Sequence, residues 1–104
     1  MKDLRKTTPY KECLAISEDC ADVFARLIQY FMPVALNPRV CKFSDPTWLF
    51  FRDNPCFLTS CLRASYDDAR VVLRIAIKHG VLKDDGDGLG RLNAFEWIHK
   101  ELKV

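Results

Sequence analysis

Apolar side chains recur along the chain at helical spacing, and the longest such stripe begins just after Ser17. Ser17 can cap free amides at a helix start, and Glu18 and Asp19 favour the positive end of the helix dipole. The stripe comprises Cys20, Val23, Phe24, Leu27, Ile28, Phe31 and Met32. This spacing predicts a core-facing amphipathic helix that ends before Pro33.

Prolines mark the starts of other elements. Thr8 followed by Pro9 predicts a short helical turn, since a proline at the first helical position forfeits no hydrogen bond. Pro46 and Pro55 each follow a residue able to cap a helix, so two further helices are predicted there. Residues 39–43 alternate between polar and apolar and predict a short strand.

The clearest local signals surround residues 66–79. Ser65 predicts a helix cap, with Asp68 three residues later to reach back. Gly80 predicts the end of this helix in a left-handed conformation. Residues 81–92 then place two short apolar runs around a polar, glycine-rich tip, which predicts a hairpin.

A last helix is predicted after Asn93, which serves as its cap with Glu96 three residues on. Its buried side would comprise Phe95, Trp97, Ile98 and Leu102. The whole pattern predicts a mostly α fold with a small β-hairpin and about five helices. Residues 1–8 are predicted to be a flexible basic arm, and residues 9–104 a single domain, because 104 residues provide one core.

Residues 58–82 predict two helices joined by a tight turn. Leu58 and Leu62 stand one helical turn apart in the first helix, and Ala64-Ser65 fills the turn. The inward positions of the second helix, and the segment that follows it, are occupied by Ala69, Leu73, Ala76 and the run His79-Gly80-Val81-Leu82. In these residues the chain resembles the winged helix-turn-helix family, with its supporting helix, its turn and the helix end that leads to the wing. Two positions depart from the family: Arg63 replaces a common glycine, and Thr59 the usual alanine.

The resemblance implies a winged helix-turn-helix domain that inserts the helix at residues 66–79 into the major groove of double-stranded DNA. It would act as a transcriptional regulator of phage or mobile-element type. Arg70, Arg74 and Lys78 share one helical stripe, where they could contact phosphates or guanine edges. The predicted nucleic-acid-binding residues are Tyr66, Arg70, Arg74, Lys78, Arg63, Lys83 and Arg91.

Acidic residues oppose this interpretation. Asp67 and Asp68 occupy the helix start, where a phosphate would otherwise be favoured. Three more, Asp84, Asp85 and Asp87, occupy the tip of the predicted wing. We therefore expect the wing to stay off the DNA backbone, with the arm residues Lys2, Arg5 and Lys6 contributing instead.

Composition limits the expected cellular location and the role of the cysteines, but it does not identify a binding target. Residues 1–53 and 54–104 each carry eight basic and seven acidic groups, so neither half is a polybasic tail. No apolar run is long enough to span a bilayer or to act as a secretory signal, and a cytoplasmic location is expected. The five cysteines contain no paired spacing, so they are interpreted as core residues rather than zinc ligands with His79 and His99.

A protein-binding inhibitor or adaptor, of the kind phages direct at host factors, is the alternative function. Near-neutral charge, the acidic wing and the aromatic residues Trp48, Phe50, Phe51 and Phe57 are compatible with a host-protein partner, although helical spacing favours these aromatics as core. A homodimer paired through terminal helices is possible under either function. A generic helical protein with two consecutive amphipathic helices also fits the pattern.

Calcium binding and catalysis are the weaker alternatives. Asp85, Asp87 and Glu96 fall at ligand positions of an EF-hand-like loop, but Leu89 occupies a position that needs an oxygen ligand. No nucleophile motif, phosphate-binding loop or metalloprotease motif occurs, so no enzyme and no cofactor are expected.

Overall fold

A computed structural model of the chain describes residues 3–36, 59, 62–84 and 92–103. This part of the chain is mostly helical. The expectations at residues 39–43, 46 and 55, and for the four aromatic residues between positions 48 and 57, lie outside the described residues.

The first described segment is a 3₁₀ turn, Leu4–Lys6. Asp3 caps it by accepting a hydrogen bond from the Arg5 amide at 3.0 Å. Thr7 is buried, and its hydroxyl donates to the Leu4 carbonyl at 2.6 Å. Local hydrogen bonds thus satisfy backbone groups of this turn, which lies within residues 1–8, the segment predicted to be a flexible arm.

Helix α1 spans Thr8–Ile16 and has a proline in its first turn, as predicted. Helix α2 spans Glu18–Leu36. Between them Ser17 is extended, and its Oγ accepts from the Cys20 amide at 3.1 Å, so the predicted cap is confirmed.

Helix α2 continues past Pro33, so the predicted end before that residue is wrong. A proline inside a helix lacks the N–H that would bond one turn back, at a cost of about 3 kcal/mol. The preceding turns bury Phe24, Leu27, Ile28 and Phe31 almost completely. Tertiary packing of such a stripe outweighs the local preference of one residue.

Helix α3 spans Tyr66–Lys78, in agreement with the prediction. Ser65 caps it, its Oγ accepting from the Asp68 amide at 3.2 Å. At the other end Gly80 has a φ of +72°. The Gly80 amide donates to the Ile77 carbonyl and the Val81 amide to the Ala76 carbonyl, a Schellman motif closed by the buried Val81.

Two short strands follow. Strand β1, Lys83–Asp84, pairs antiparallel with β2, Leu92–Asn93, with Lys83 opposite Asn93. Helix α4 spans Phe95–Leu102 and begins after Ala94 without a side-chain cap. Asn93 is part of β2, so the prediction that its side chain caps the last helix is wrong. Of the predicted hairpin, the described residues include only this pair of two-residue strands.

The core forms around α2, which packs against α1, α3 and α4. Phe24 is fully buried at its centre, with the ring of Tyr10 at 6.4 Å and that of Trp97 at 6.1 Å, both in edge-to-face geometry. Edge-to-face pairs align the positive ring edge with the negative ring face. These contacts join the first, second and last helices.

Cys13 and Cys20 are buried, reduced residues of this core, as predicted for the cysteines. Burial raises the pKa of the Cys13 thiol to about 12, which makes its reactive thiolate scarce. None of the described residues forms a group of three possible metal ligands. No described helix combines the length and the apolar content that crossing a membrane requires.

Candidate nucleic-acid interface

Helix α3 has one buried side and one exposed side. Ala69, Leu73 and Ala76 face the core and are almost completely buried, as predicted. Arg70 and Arg74 are exposed, which also agrees with the sequence pattern. In the part of the chain that the structure describes, neither arginine has a carboxylate within ion-pair distance.

Tyr66 and Arg70 stand one helical turn apart on the exposed side and touch. The guanidinium carbon of Arg70 lies 5.8 Å from the centre of the Tyr66 ring, within range of a cation–π interaction. Tyr66 itself remains 51% exposed. The pair therefore projects a planar cation beside an aromatic ring into solvent.

Ile77 belongs to the same exposed side, although the sequence analysis did not single it out. It is 41% exposed and follows Arg70 by seven residues, which is two helical turns. The signal was available, since Ile77 is an apolar residue within a stripe of cations. An exposed apolar group there could contact a thymine methyl or a protein partner.

Lys78, predicted as the last cation of this stripe, is paired across the fold. Its Nζ donates to Oε1 of Glu12 in α1 at 2.8 Å, and the His79 imidazole bonds to Oε2 of the same carboxylate. Hydrogen bonds from Lys78 and then His79 lower the pKa of Glu12 below its usual value. Lys78 is still 66% exposed, but its charge is offset by a neighbour that the sequence did not indicate.

Arg63 lies in the turn that precedes α3 and is exposed. Its φ is +53°, a left-handed conformation that L-residues other than asparagine and aspartate seldom adopt. The turn is held by α2, since Nη1 of Arg26 donates to the Leu62 carbonyl at 3.0 Å. Arg63 thus stands with its backbone in the conformation for which glycine is best suited.

The remaining predicted cations contribute less to this surface. Nζ of Lys83 donates to Glu96 Oε2 at 2.6 Å, which lowers the pKa of that carboxyl. Arg5 forms an ion pair with Asp3 at 3.2 Å. Arg91 lies outside the described residues, as do Lys2 of the arm and the proposed calcium ligands Asp85 and Asp87. Glu96, the last of those proposed ligands, accepts the hydrogen bond from Lys83.

The two aspartates at the start of α3 differ in surroundings. Asp68 is turned toward α2, where the Cys20 thiol lies 3.6 Å from its Oδ1. Asp67 is exposed. Asp67 is therefore the more exposed of the two carboxylates that oppose an anion at the start of this helix.

A polar cleft of about 200 Å³ lies elsewhere, between the start of α1 and the last helix. Its lining residues are Lys6, Thr7, Thr8, Pro9, His79, Trp97 and Glu101. It contains one lysine and one glutamate, so it presents no dominant charge to a ligand. The exposed side of α3 is the more distinctive surface.

We compared the chain with models of protein families, with curated proteins and with solved structures, and none of them matches it.

Proposed function

We propose that this protein binds double-stranded DNA by inserting α3 into the major groove, in an arrangement of winged helix-turn-helix type that would serve regulation of transcription. The observation that carries the proposal is the presence of the exposed Arg70 and Arg74 on one side of α3 and of the exposed Arg63 in the turn before it. None of the three has a carboxylate partner among the described residues. Arginine is well suited to phosphates and to guanine edges.

The backbone around α3 supports the helix-turn-helix part of the proposal. The turn before it has a left-handed residue at Arg63, where the family commonly has glycine. The Schellman motif at Gly80 directs the buried pair Val81-Leu82 toward β1. Both features are compatible with the resemblance. Leu58 of the expected supporting helix lies outside the described residues.

The charge arrangement favours contact through the helix and its preceding turn rather than through the wing. Lys78 and Lys83 are each bonded to a glutamate, whereas no described residue offers a carboxylate partner to the three arginines. Three phosphate contacts would give binding a salt dependence with a slope of about −3. Affinity for random duplex would accordingly be modest, with a salt dependence weaker than that of proteins that make about six to ten phosphate contacts.

Binding of a protein instead of DNA is the second candidate, and exposed apolar residues favour it. Leu14 and Ile16 of α1 are 47% and 55% exposed, and Ile77 adds an apolar group on α3. Pairing of two copies through α4 is less favoured, because Trp97, Ile98 and Leu102 are already buried within the chain. Either target would be reached in the cytoplasm, where we expect the protein.

Retention on immobilised random duplex, measured over a series of salt concentrations, tests the proposal. Arg70→Ala combined with Arg74→Ala should reduce the salt slope by about 2. The matched control combines Lys11→Ala with Lys100→Ala, which removes the same charge from two exposed lysines outside the surface. Equal loss in both double variants would indicate non-specific attraction, and absence of salt-dependent retention would refute DNA binding.

A further inference from the structure

The exposed side of α3 contains two arginines that differ in one respect. Arg70 lies over the ring of Tyr66, with its guanidinium carbon 5.8 Å from the ring centre. For Arg74 the described residues provide no ring contact and no ion pair. Two side chains of the same type therefore differ in how far their conformations are fixed before binding.

A guanidinium held over an aromatic ring keeps its N–H groups free at its edge. The ring attracts the cation through its face, and neither partner uses a hydrogen-bond donor in doing so. Guanine presents O6 and N7 in the major groove as two neighbouring acceptors, which suit the paired donors of arginine. The Tyr66 ring thus restricts Arg70 without occupying the atoms that would bind a base.

Position along the helix also separates the two arginines. Arg70 is in the first half of α3, and Arg74 follows one turn later, about 6 Å along the helix axis. When a recognition helix enters the major groove, its N-terminal residues contact base edges. Arg70 is therefore the better placed of the two to reach a base, and Arg74 the better placed to contact the backbone.

We propose that Arg70 reads one guanine of the DNA site and that Tyr66 is its positioning residue, holding the guanidinium in a base-reading conformation. This inference rests on the proposed function and adds the specificity determinant to it. Arg74 supplies charge to a phosphate. A cation–π contact at an exposed site biases conformation only modestly. Loss of the Tyr66 ring should therefore reduce the preference for guanine roughly two- to fivefold.

The Tyr66 hydroxyl offers a competing explanation, in which tyrosine contacts a phosphate directly. A phenylalanine retains the ring and lacks the hydroxyl, so the two roles separate cleanly. Likewise a lysine retains the charge but lacks the planar paired donors of arginine, so it should read guanine less well while still contacting phosphate. All of these side chains are exposed, and their substitution leaves the core intact.

The experiment selects bound duplexes from a random-sequence pool with the full chain and then measures affinities for the selected site and for single-base replacements of its guanines. Wild type should prefer guanine at one position on the order of tenfold. Arg70→Lys should weaken that preference while retaining the salt slope. Tyr66→Ala should weaken the preference roughly two- to fivefold, and Tyr66→Phe should retain it. Arg74→Lys, the matched control, should leave it unchanged.

Three results would overturn the inference: a guanine preference unchanged in Arg70→Lys, loss of the preference in Arg74→Lys instead, or equal behaviour of Tyr66→Ala and Tyr66→Phe. Each of these is obtained only if duplex binding occurs, so each leaves the proposed function standing. Failure of the wild-type chain to bind any duplex refutes the proposed function itself and the inference with it.

Discussion

Nζ of Lys78 lies 2.8 Å from Oε1 of Glu12, so the last turn of α3 is joined to α1 by an ion pair. The two residues are 66 positions apart in sequence. This pair offsets a charge on the proposed DNA-binding surface. It also gives the fold a contact whose strength depends on pH.

The first prediction compares Lys78→Ala with Arg74→Ala in duplex binding. Arg74→Ala should lower the salt slope by about 1, as expected for loss of one phosphate contact. Lys78→Ala should lower it by less, since a phosphate would have to compete with Glu12 for this ammonium group. Retention over a salt series measures both. Equal slopes for the two variants would show that Glu12 does not restrain Lys78.

The second prediction concerns stability in acid. Bonds from Lys78 and His79 hold the pKa of Glu12 below its value of 4.5 in an unfolded chain. Below about pH 4.5 the unfolded state therefore binds more protons at this position, and the stabilisation is lost as pH falls through the lower, folded pKa. Glu12→Gln should remove this component of the acid destabilisation.

Urea midpoints measured from about pH 6 to about pH 3 test this sign. The difference between wild type and Glu12→Gln should be largest at the upper end and shrink toward the lower end. Asp22→Asn is the control, since Asp22 is exposed on α2 and no ion pair to it occurs within the described ranges. A constant difference across the series would contradict a titrating contact at Glu12.

The sequence predicted those features whose causes are local. Ser65 and Gly80 delimit α3 because a cap and a left-handed residue act on backbone groups within one turn. The inward side of α3 followed from residue spacing alone. The contact between Tyr66 and Arg70 is also local, because the two residues are four positions apart, but the sequence analysis did not predict it.

Features decided by distant parts of the chain were not predictable in this way. Pro33 does not end α2, because burial of the preceding apolar stripe outweighs the missing hydrogen bond. Asn93 pairs with Lys83 in the short sheet instead of capping the last helix. The partnership of Glu12 with Lys78 depends on how α1 docks against α3, about which side-chain spacing carries no information.

The third prediction concerns Gly80 at the end of α3. A Cβ added there would meet no atom within 4 Å, so Gly80→Ala should cost only backbone strain. At a φ of +72° that strain is about 1 to 2 kcal/mol, and the lower freedom of alanine in the unfolded chain offsets about 0.5 to 1 kcal/mol of it in the free energy of unfolding. Asparagine tolerates this conformation better, so Gly80→Asn should cost less. Denaturant unfolding measures both, and an unchanged midpoint for Gly80→Ala would contradict the left-handed turn.

The fourth prediction concerns Phe24, which joins three helices through its ring. Phe24→Ala should lower the free energy of unfolding by about 3 to 5 kcal/mol, because it removes a fully buried side chain and leaves a cavity. Phe24→Leu retains most of the volume and should cost much less. Thermal and urea unfolding of the two variants measure the difference. Equal costs would mean that the edge-to-face contacts with Tyr10 and Trp97, rather than volume, dominate at this position.

The fifth prediction is that Arg63→Gly stabilises the fold while weakening duplex binding. Relief of a left-handed arginine contributes about 1 to 2 kcal/mol, and the greater freedom of glycine in the unfolded chain returns about 0.5 to 1 kcal/mol. The net gain in the free energy of unfolding should be about 0.5 to 1 kcal/mol. The same change removes an exposed cation from the proposed surface, so the salt slope of duplex binding should fall by about 1.

Arg63→Ala is the matched control, because it removes the charge but retains the backbone strain. In Arg63→Gly the urea midpoint should therefore rise while retention on duplex falls. In Arg63→Ala retention should fall without a rise in the urea midpoint. A lower urea midpoint for Arg63→Gly than for Arg63→Ala would refute the left-handed turn, and with it the main backbone support for a helix-turn-helix.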